Sequence, residues 1–275
     1  MEIMDIIKEA FIFPSQNLEK LVIYILLTFV VGILVAGGIF SAVFGAVNNS
    51  AYLIITFILA IAAIAVSLVI SGYQVGILKS GIDQVEDAPS FDWKNDLVTG
   101  ILLLVVSIVY FIIPIVIIAI VALITNIPGQ IIDVSQQIAL APANTTAAGV
   151  SVFSTVSESA LASLGTSIAI TSIIGIVLII IFAFLYTMGE ARLANTDDLG
   201  EALNIPESFR DISRIGFGKV LGVVLLMVII IAVIQAILGY LYGQVPALSI
   251  LSIIVTPYLT FASQRATGLL YSDIA

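Results

Sequence analysis

Four charged side chains stand where long apolar stretches of the sequence end: Lys79, then Glu190 with Arg192, then Arg265. Tyr73, Gln74 and Gln264 lie beside them. Basic groups in such places suit lipid phosphates or the carboxylate of a substrate, so these residues form a candidate headgroup or substrate contact. The competing reading is structural. Long basic side chains at the end of a membrane helix snorkel to the interface, and Glu190 would then pair with Arg192 or with Arg265. Gln235 is the most polar side chain deep inside an apolar stretch and is the fifth candidate ligand contact. Other chemistry is excluded by composition. The chain has no Cys and no His, so it offers no thiol nucleophile, imidazole base or Cys/His metal site. It carries no phosphate loop and no nucleophile elbow. The pair Asp197-Asp198 lies in a hydrophilic segment without a partner motif. No enzyme activity, cofactor or metal is expected.

The elements that must position these residues follow from the same composition. Of 275 residues, 61% are apolar and 10% charged, against about 45–50% and about 25% in a soluble domain. That apolar excess cannot be hidden in a globule of this size, so the solvent for most of the chain is lipid. The net charge of −9 argues against a nucleic-acid partner. Uncharged runs then count the spans. Residues 21–78 contain 58 uncharged positions, enough for two helices with a turn at Asn48, Asn49 and Ser50. One span is read at about 98–124 and another at about 161–188. The 45 uncharged residues between Lys219 and Arg265, broken at Gly243-Gln244-Val245-Pro246, give two more. Backbone groups must be paired inside lipid, and these runs are too long and too continuously apolar for barrel strands. The expectation is an all-α polytopic protein with six transmembrane helices, a single membrane domain over residues 1–275.

On that map Lys8, Lys20, Lys79, Lys94, Arg192, Arg210, Arg214, Lys219 and Arg265 all fall on one side. The opposite side has Asp133 and Glu158 and no basic residue. Lys and Arg, rather than net charge, set orientation. The expected location is therefore the cytoplasmic membrane, multi-pass, with both termini inside. Membrane lipids are the expected partners.

Three segments on the basic side resemble one another: Phe13-Pro14-Ser15, Ala88-Pro89-Ser90 and Ile205-Pro206-Glu207-Ser208. Each precedes an odd-numbered span. Gly72 stands 17 residues before Pro89, and Gly189 17 residues before Pro206. The pattern predicts three parallel-repeat helical hairpins, about 1–78, 79–188 and 189–275, with interfacial amphipathic lead-in helices. Ser208 with Asp211 reads as a capping box. In the first lead-in, Ile3, Ile6, Ile7, Ala10 and Phe11 share a face, as expected of a helix lying on the bilayer. The one sizeable loop on the other side, about 126–159, carries the sequon Asn144-Thr145-Thr146, which makes Asn144 a candidate glycosylation site. Small and hydroxyl residues within the spans, with Gly32, Gly37 and Gly38 among them, read as helix-packing positions.

The stretch Gly72-Tyr73, Lys79, Gly81, Pro89-Ser90-Phe91-Asp92-Trp93, Leu97, Gly100 resembles an archaeal membrane family known as domain of unknown function 4013. The opening Met4-Asp5-Ile6-Ile7-Lys8-Glu9-Ala10-Phe11 and Phe13-Pro14 is similar to that family as well. The resemblance implies an archaeal cytoplasmic-membrane protein and supplies no catalytic residues. Two functions remain in view: transport or lipid handling through the basic rim, and a non-enzymatic scaffold or assembly factor that binds partners through its loops. A cavity between the hairpins favours the first, and a solid bundle with shallow grooves the second.

Overall fold

A computed structural model describes residues 1–47, 49–140 and 156–275 of the chain. The described residues are helical almost throughout. The helices are α1 (Ile3–Gln16), α2 (Leu18–Val47), α3 (Ala51–Ile82), α4 (Trp93–Ile124), α5 (Ile127–Ala139), α6 (Glu158–Thr196), α7 (Leu199–Ala202), α8 (Ile205–Ile215), α9 (Phe217–Gln244) and α10 (Ser252–Tyr271). A 3₁₀ turn, Pro246–Leu251, leads into α10. Among the described residues six segments are long and apolar enough to cross a bilayer: α2, α3, α4, α6, α9 and the turn with α10. At 1.5 Å per residue the shortest of them, the 26 residues of Pro246–Tyr271, exceeds a hydrocarbon core of about 30 Å. Large apolar side chains such as Phe40, Phe57, Ile115, Ile173 and Val233 are exposed on these helices. On a soluble protein such a surface would be an aggregation liability, whereas in lipid it is the solvated face. This is an all-helical multi-pass membrane protein.

The chain divides into two compact units, residues 1–107 with 185–275, and residues 108–184. In the larger unit α10 is the hub, packing on α3, α1, α2 and α9. Small residues let the backbones touch there. A Cβ on Gly268 would stand 2.1 Å from the Leu78 carbonyl oxygen, and one on Gly81 would stand 2.9 Å from the Gly268 Cα. The crossing of α3 with α4 is as tight. A Cβ on Gly72 would lie 1.8 Å from the Asp96 carbonyl oxygen, and one on Gly100 would lie 1.9 Å from that of Leu68. Close approach at small residues is how membrane helices gain van der Waals contact when lipid already matches their apolarity. In the α2–α3 hairpin Gly37 and Gly38 face Leu59 at ordinary contact distance, while Gly32 faces open space.

In the smaller unit, α5 forms in the segment expected as loop and buries Val134. The Gln130 amide donates to the Thr125 carbonyl at 3.2 Å and to the Ser167 hydroxyl at 3.1 Å, and the Thr125 and Thr171 hydroxyls lie 3.3 Å apart. Asn144 lies outside the described residues.

The proline segments take three different local structures. Pro14 sits in the last turn of α1. Pro89 lies in the non-helical link before α4, where Asp92 receives the Lys94 and Asn95 N–H groups at 3.2 and 3.1 Å. Pro206 falls at the start of α8, whose cap is Asn204, accepting from the Glu207 N–H at 3.3 Å. Ser208 is therefore inside α8 and buried, not a cap. Proline is tolerated in the first helical turn, so the helix starts ahead of it rather than after it. The apolar face of α1 also differs from expectation. Ile6, Ile7, Ala10 and Phe13 are buried in a helix that packs chiefly on α10, so that face meets protein.

Candidate functional site

The resemblance motif turns out to position the link between α3 and α4. The Tyr73 ring stacks on Phe91 with centroids 3.7 Å apart. Its hydroxyl donates to the Pro89 carbonyl at 3.0 Å. Gly76 leaves room for the Pro89 ring, and Gly72 admits the α4 backbone. Asn17, at the junction of α1 and α2, closes the link from the other side. Its amide nitrogen donates to the Glu86 carbonyl at 3.0 Å, and its oxygen accepts the Ala88 N–H at 2.7 Å.

Arg265 is the most confined of the candidate residues, with 1% of its surface exposed. One terminal nitrogen donates to the carbonyl oxygens of Ser80 and Val85 at 2.7 and 2.6 Å. The other reaches the Glu9 carboxylate at 2.5 Å. The guanidinium lies 4.6 Å over the Phe13 ring, a geometry attractive to the ring quadrupole. The side chain thus joins α1, the end of α3 and α10. The Gly81–Gly268 approach sets the short spacing between the last two.

Arg192 organises a second network. It donates to the Asp211 carboxylate at 2.8 Å and to the Glu201 carbonyl at 2.9 Å, and also pairs with the Glu201 carboxylate. Asp211 is 1% exposed. It also accepts from the Tyr271 hydroxyl at 3.1 Å and from Arg214 at 3.0 Å. Planar guanidinium forks are suited to such multiply hydrogen-bonded burial. Lys79 is engaged more loosely, at 2.6 Å from Asp197 on the surface. Lys219 and the N-terminal amine share Asp273, the amine at 3.3 Å.

Glu190 pairs with neither arginine proposed for it. Arg192 is two residues on and points to another side of α6, since positions i and i+2 do not face each other on a helix. Arg265 is already held by Glu9. The Glu190 carboxylate is buried, and its hydrogen bond comes from the Gln264 amide at 3.2 Å. It faces a half-open pocket of about 250 Å³, walled by α3, α4, α6 and α10. Ser71, Gln74, Ser107, Tyr186 and Gln264 supply its polar lining. The Gln74 amide donates to the Tyr24 hydroxyl at 2.6 Å, and the Ser107 hydroxyl to that of Tyr186 at 3.2 Å. Leu68, Leu103 and Leu104 form the apolar wall, and Leu104 is 46% exposed on the outer surface.

The five candidates therefore do not share one site. Lys79, Arg192 and Arg265 each have their own intramolecular partners, Glu190 lines the pocket, and Gln235 lies on the exposed face of α9. Sequence reasoning missed Glu9, Glu201, Tyr186 and Tyr271, and saw Asp211 only as a cap partner. No spacing rule connects residues 9 and 265. The available signal was composition: each basic residue sits among an excess of carboxylates, so internal neutralisation was the expected default.

No curated protein matches the sequence, and no solved structure does. A family match covers residues 55–243, from α3 to the end of α9. It takes in Gly72-Tyr73, the Pro89–Trp93 link, Glu190 and Arg192, and more than half of the chain. By that match, and by the residues whose packing has just been described, the chain belongs to the family described as Protein of unknown function (DUF4013).

Proposed function

We propose that the protein is a membrane-embedded transport or lipid-handling protein whose contact with its small ligand is the Glu190 pocket. The observation that carries this reading is a polar recess, containing a buried carboxylate, between helices that are otherwise apolar on nearly every face. A buried ionisable group within a membrane helix is costly to keep and marks a binding or translocation path more often than a packing position. Tyr186 and Ser107 carry the polar lining past Glu190, one helical turn deeper by the Tyr186–Glu190 spacing. The outer edge at Leu104 leaves a lateral approach from lipid. Native mass spectrometry of the purified protein tests the reading. A small molecule or lipid should be retained by the wild-type chain and lost from Leu104→Trp, which fills the pocket edge. Equal retention by both overturns it.

We also propose an orientation: the basic side faces the cytoplasm, in the cytoplasmic membrane, with both termini inside. The sequence map that puts all nine Lys and Arg residues at the same end of the six spans supports this. The chain has no native Cys, so single-cysteine labelling is direct. A cysteine at Asp198 should resist an impermeant reagent in intact cells, and labelling there overturns the orientation.

A scaffold remains the second reading because the basic rim is neutralised from within. Lys79, Arg192 and Arg265 spend their charge on Asp197, Asp211, Glu201 and Glu9. Phe209 on α8 and Phe217 at the start of α9 stay exposed beside it. Partners would then dock through that surface, and the Leu104→Trp variant would keep its activity in cells.

A further inference from the structure

We infer that the Glu190 pocket takes a ligand bearing a primary ammonium group on an apolar tail; this deepens, and rests on, the pocket reading above. Charge is the first argument. Three carboxylates are buried in the larger unit: Asp96, Glu190 and Asp211. Asp211 is held by Arg192 and Arg214. Asp96 accepts the Asp92 backbone N–H at 3.0 Å. Glu190 has no Lys or Arg within ion-pair distance among the described residues, and its one hydrogen bond comes from a neutral amide. The nearby basic side chains are committed elsewhere. A carboxyl buried without a cation is neutralised by a proton at a cost, and a cationic group that enters the pocket can take that proton's place.

The polarity of the lining is the second argument. A carboxylate accepts and cannot donate, so the Gln264 amide must turn its nitrogen toward Glu190. The Gln74 nitrogen is turned to Tyr24. Among the described residues neither glutamine carbonyl oxygen accepts a hydrogen bond. The residues that line the pocket therefore supply a carboxylate, two glutamine carbonyl oxygens with acceptor capacity to spare, and the hydroxyls of Ser71, Ser107 and Tyr186. An ammonium brings three donors and one positive charge, which match this set. A divalent metal does not fit. Calcium takes six to eight oxygen ligands, and magnesium demands near-ideal octahedral oxygens, typically with one or two carboxylates plus phosphate oxygens. Here a single carboxylate faces the pocket, and no group of metal-binding side chains occurs among the described residues.

Shape is the third argument. Leu68, Leu103 and Leu104 make one wall apolar, and the lateral edge at Leu104 lets a hydrocarbon tail leave toward the lipid. The same chemistry arises from an aminolipid headgroup or from a free alkylamine, and the two are separable by experiment.

The test uses the full-length protein in detergent, titrated with n-octylammonium chloride while thermal unfolding is followed. A ligand that binds only the folded state raises the unfolding midpoint saturably. The midpoint should rise for the wild-type chain. Glu190→Gln should weaken the response about tenfold or more, as expected for loss of a charged hydrogen bond. n-Octanol, with the same tail and no charge, should shift neither protein. Gln264→Leu serves as a second variant should Glu190→Gln fold poorly, and it should weaken the response by a smaller factor. In nanodiscs, retention of phosphatidylethanolamine over phosphatidylcholine identifies a lipid source, while binding of octylammonium without that preference identifies a free amine. Equal shifts with octanol and octylammonium, or an unchanged response in Glu190→Gln, overturn the ammonium assignment. The pocket reading itself falls only if Leu104→Trp also leaves ligand retention untouched.

Discussion

Arg265 on α10 and Glu190, hydrogen-bonded to the neighbouring Gln264, lie in the same helical unit and solve burial in opposite ways. Arg265 is enclosed by two backbone carbonyls, a carboxylate and an aromatic face. Glu190 is also buried, yet it has one neutral partner and a void in front of it. A buried charge held by several hydrogen bonds ties elements together, and removing one partner leaves the other stranded. A buried charge that is not satisfied by the protein is poorly explained as a structural device. The difference teaches where stability is held in this fold and why the Glu190 pocket is the site proposed for a ligand.

The sharpest way to break the comparison is Arg265→Gln. It strands the Val85 carbonyl, leaves the Ser80 carbonyl with only the Val85 N–H, and loosens α1 from α10. A loss of about 1–3 kcal/mol is expected for each buried hydrogen-bond partner left unsatisfied, read as a large drop in the unfolding midpoint or as failure to purify a monodisperse protein. A fully stable Arg265→Gln protein would show that the network carries no load. Asp211→Asn and Glu190→Gln sharpen the contrast. Both remove a buried carboxylate charge, but Asp211 has charged partners. Asp211→Asn should cost about 1.5–3 kcal/mol. Glu190→Gln, measured without added ligand, should leave the midpoint unchanged or raise it, because it removes an uncompensated charge. A loss at Glu190 matching that at Asp211 would place the two residues in one structural class.

Much of this architecture was legible in the sequence because lipid imposes a simple rule: long uncharged runs must be helices. The six spans, the break before Ala51 and the break at Val245, within the expected 243–246, are direct consequences. The glycines of the resemblance motif were legible as positions, but their purpose was not. Gly72 and Gly100 matter through contacts with Asp96 and Leu68 on a neighbouring helix, which no local pattern encodes. The candidate site was only partly legible. Apolar runs show where charges stop, so Lys79, Glu190, Arg192 and Arg265 stood out. Which charge meets which is a tertiary matter. Glu9 reaches Arg265 across 256 positions of sequence, and Arg192 turns away from Glu190 by helical geometry alone. The α1 face shows the same limit: amphipathicity tells that a face is buried, and it does not distinguish lipid from protein as the burying medium.

The smallest expected effect lies at Asp273, beyond the last spanning helix, where it meets the N-terminal amine and Lys219 at the start of α9. Partial burial pushes its carboxyl upward, but hydrogen bonds and charge from Lys219 and the amine outweigh that and hold it below the usual carboxylate range. A carboxyl depressed in the folded state contributes stability that is fully present above its unfolded pKa, about 3.9. That contribution is lost as pH falls through the lower folded value, because the unfolded chain then binds the proton more readily. Near-surface pairs of this kind contribute about 1 kcal/mol or less. The midpoint difference between the wild-type chain and Asp273→Asn should therefore be small and constant from neutral pH down to about 5, and should shrink in more acidic buffer. Added salt should reduce it as well, since the pair is within reach of solvent ions. A difference that grows on acidification would reverse the assigned sign and remove Asp273 from the contacts that hold α1 and α9 to the C-terminal segment.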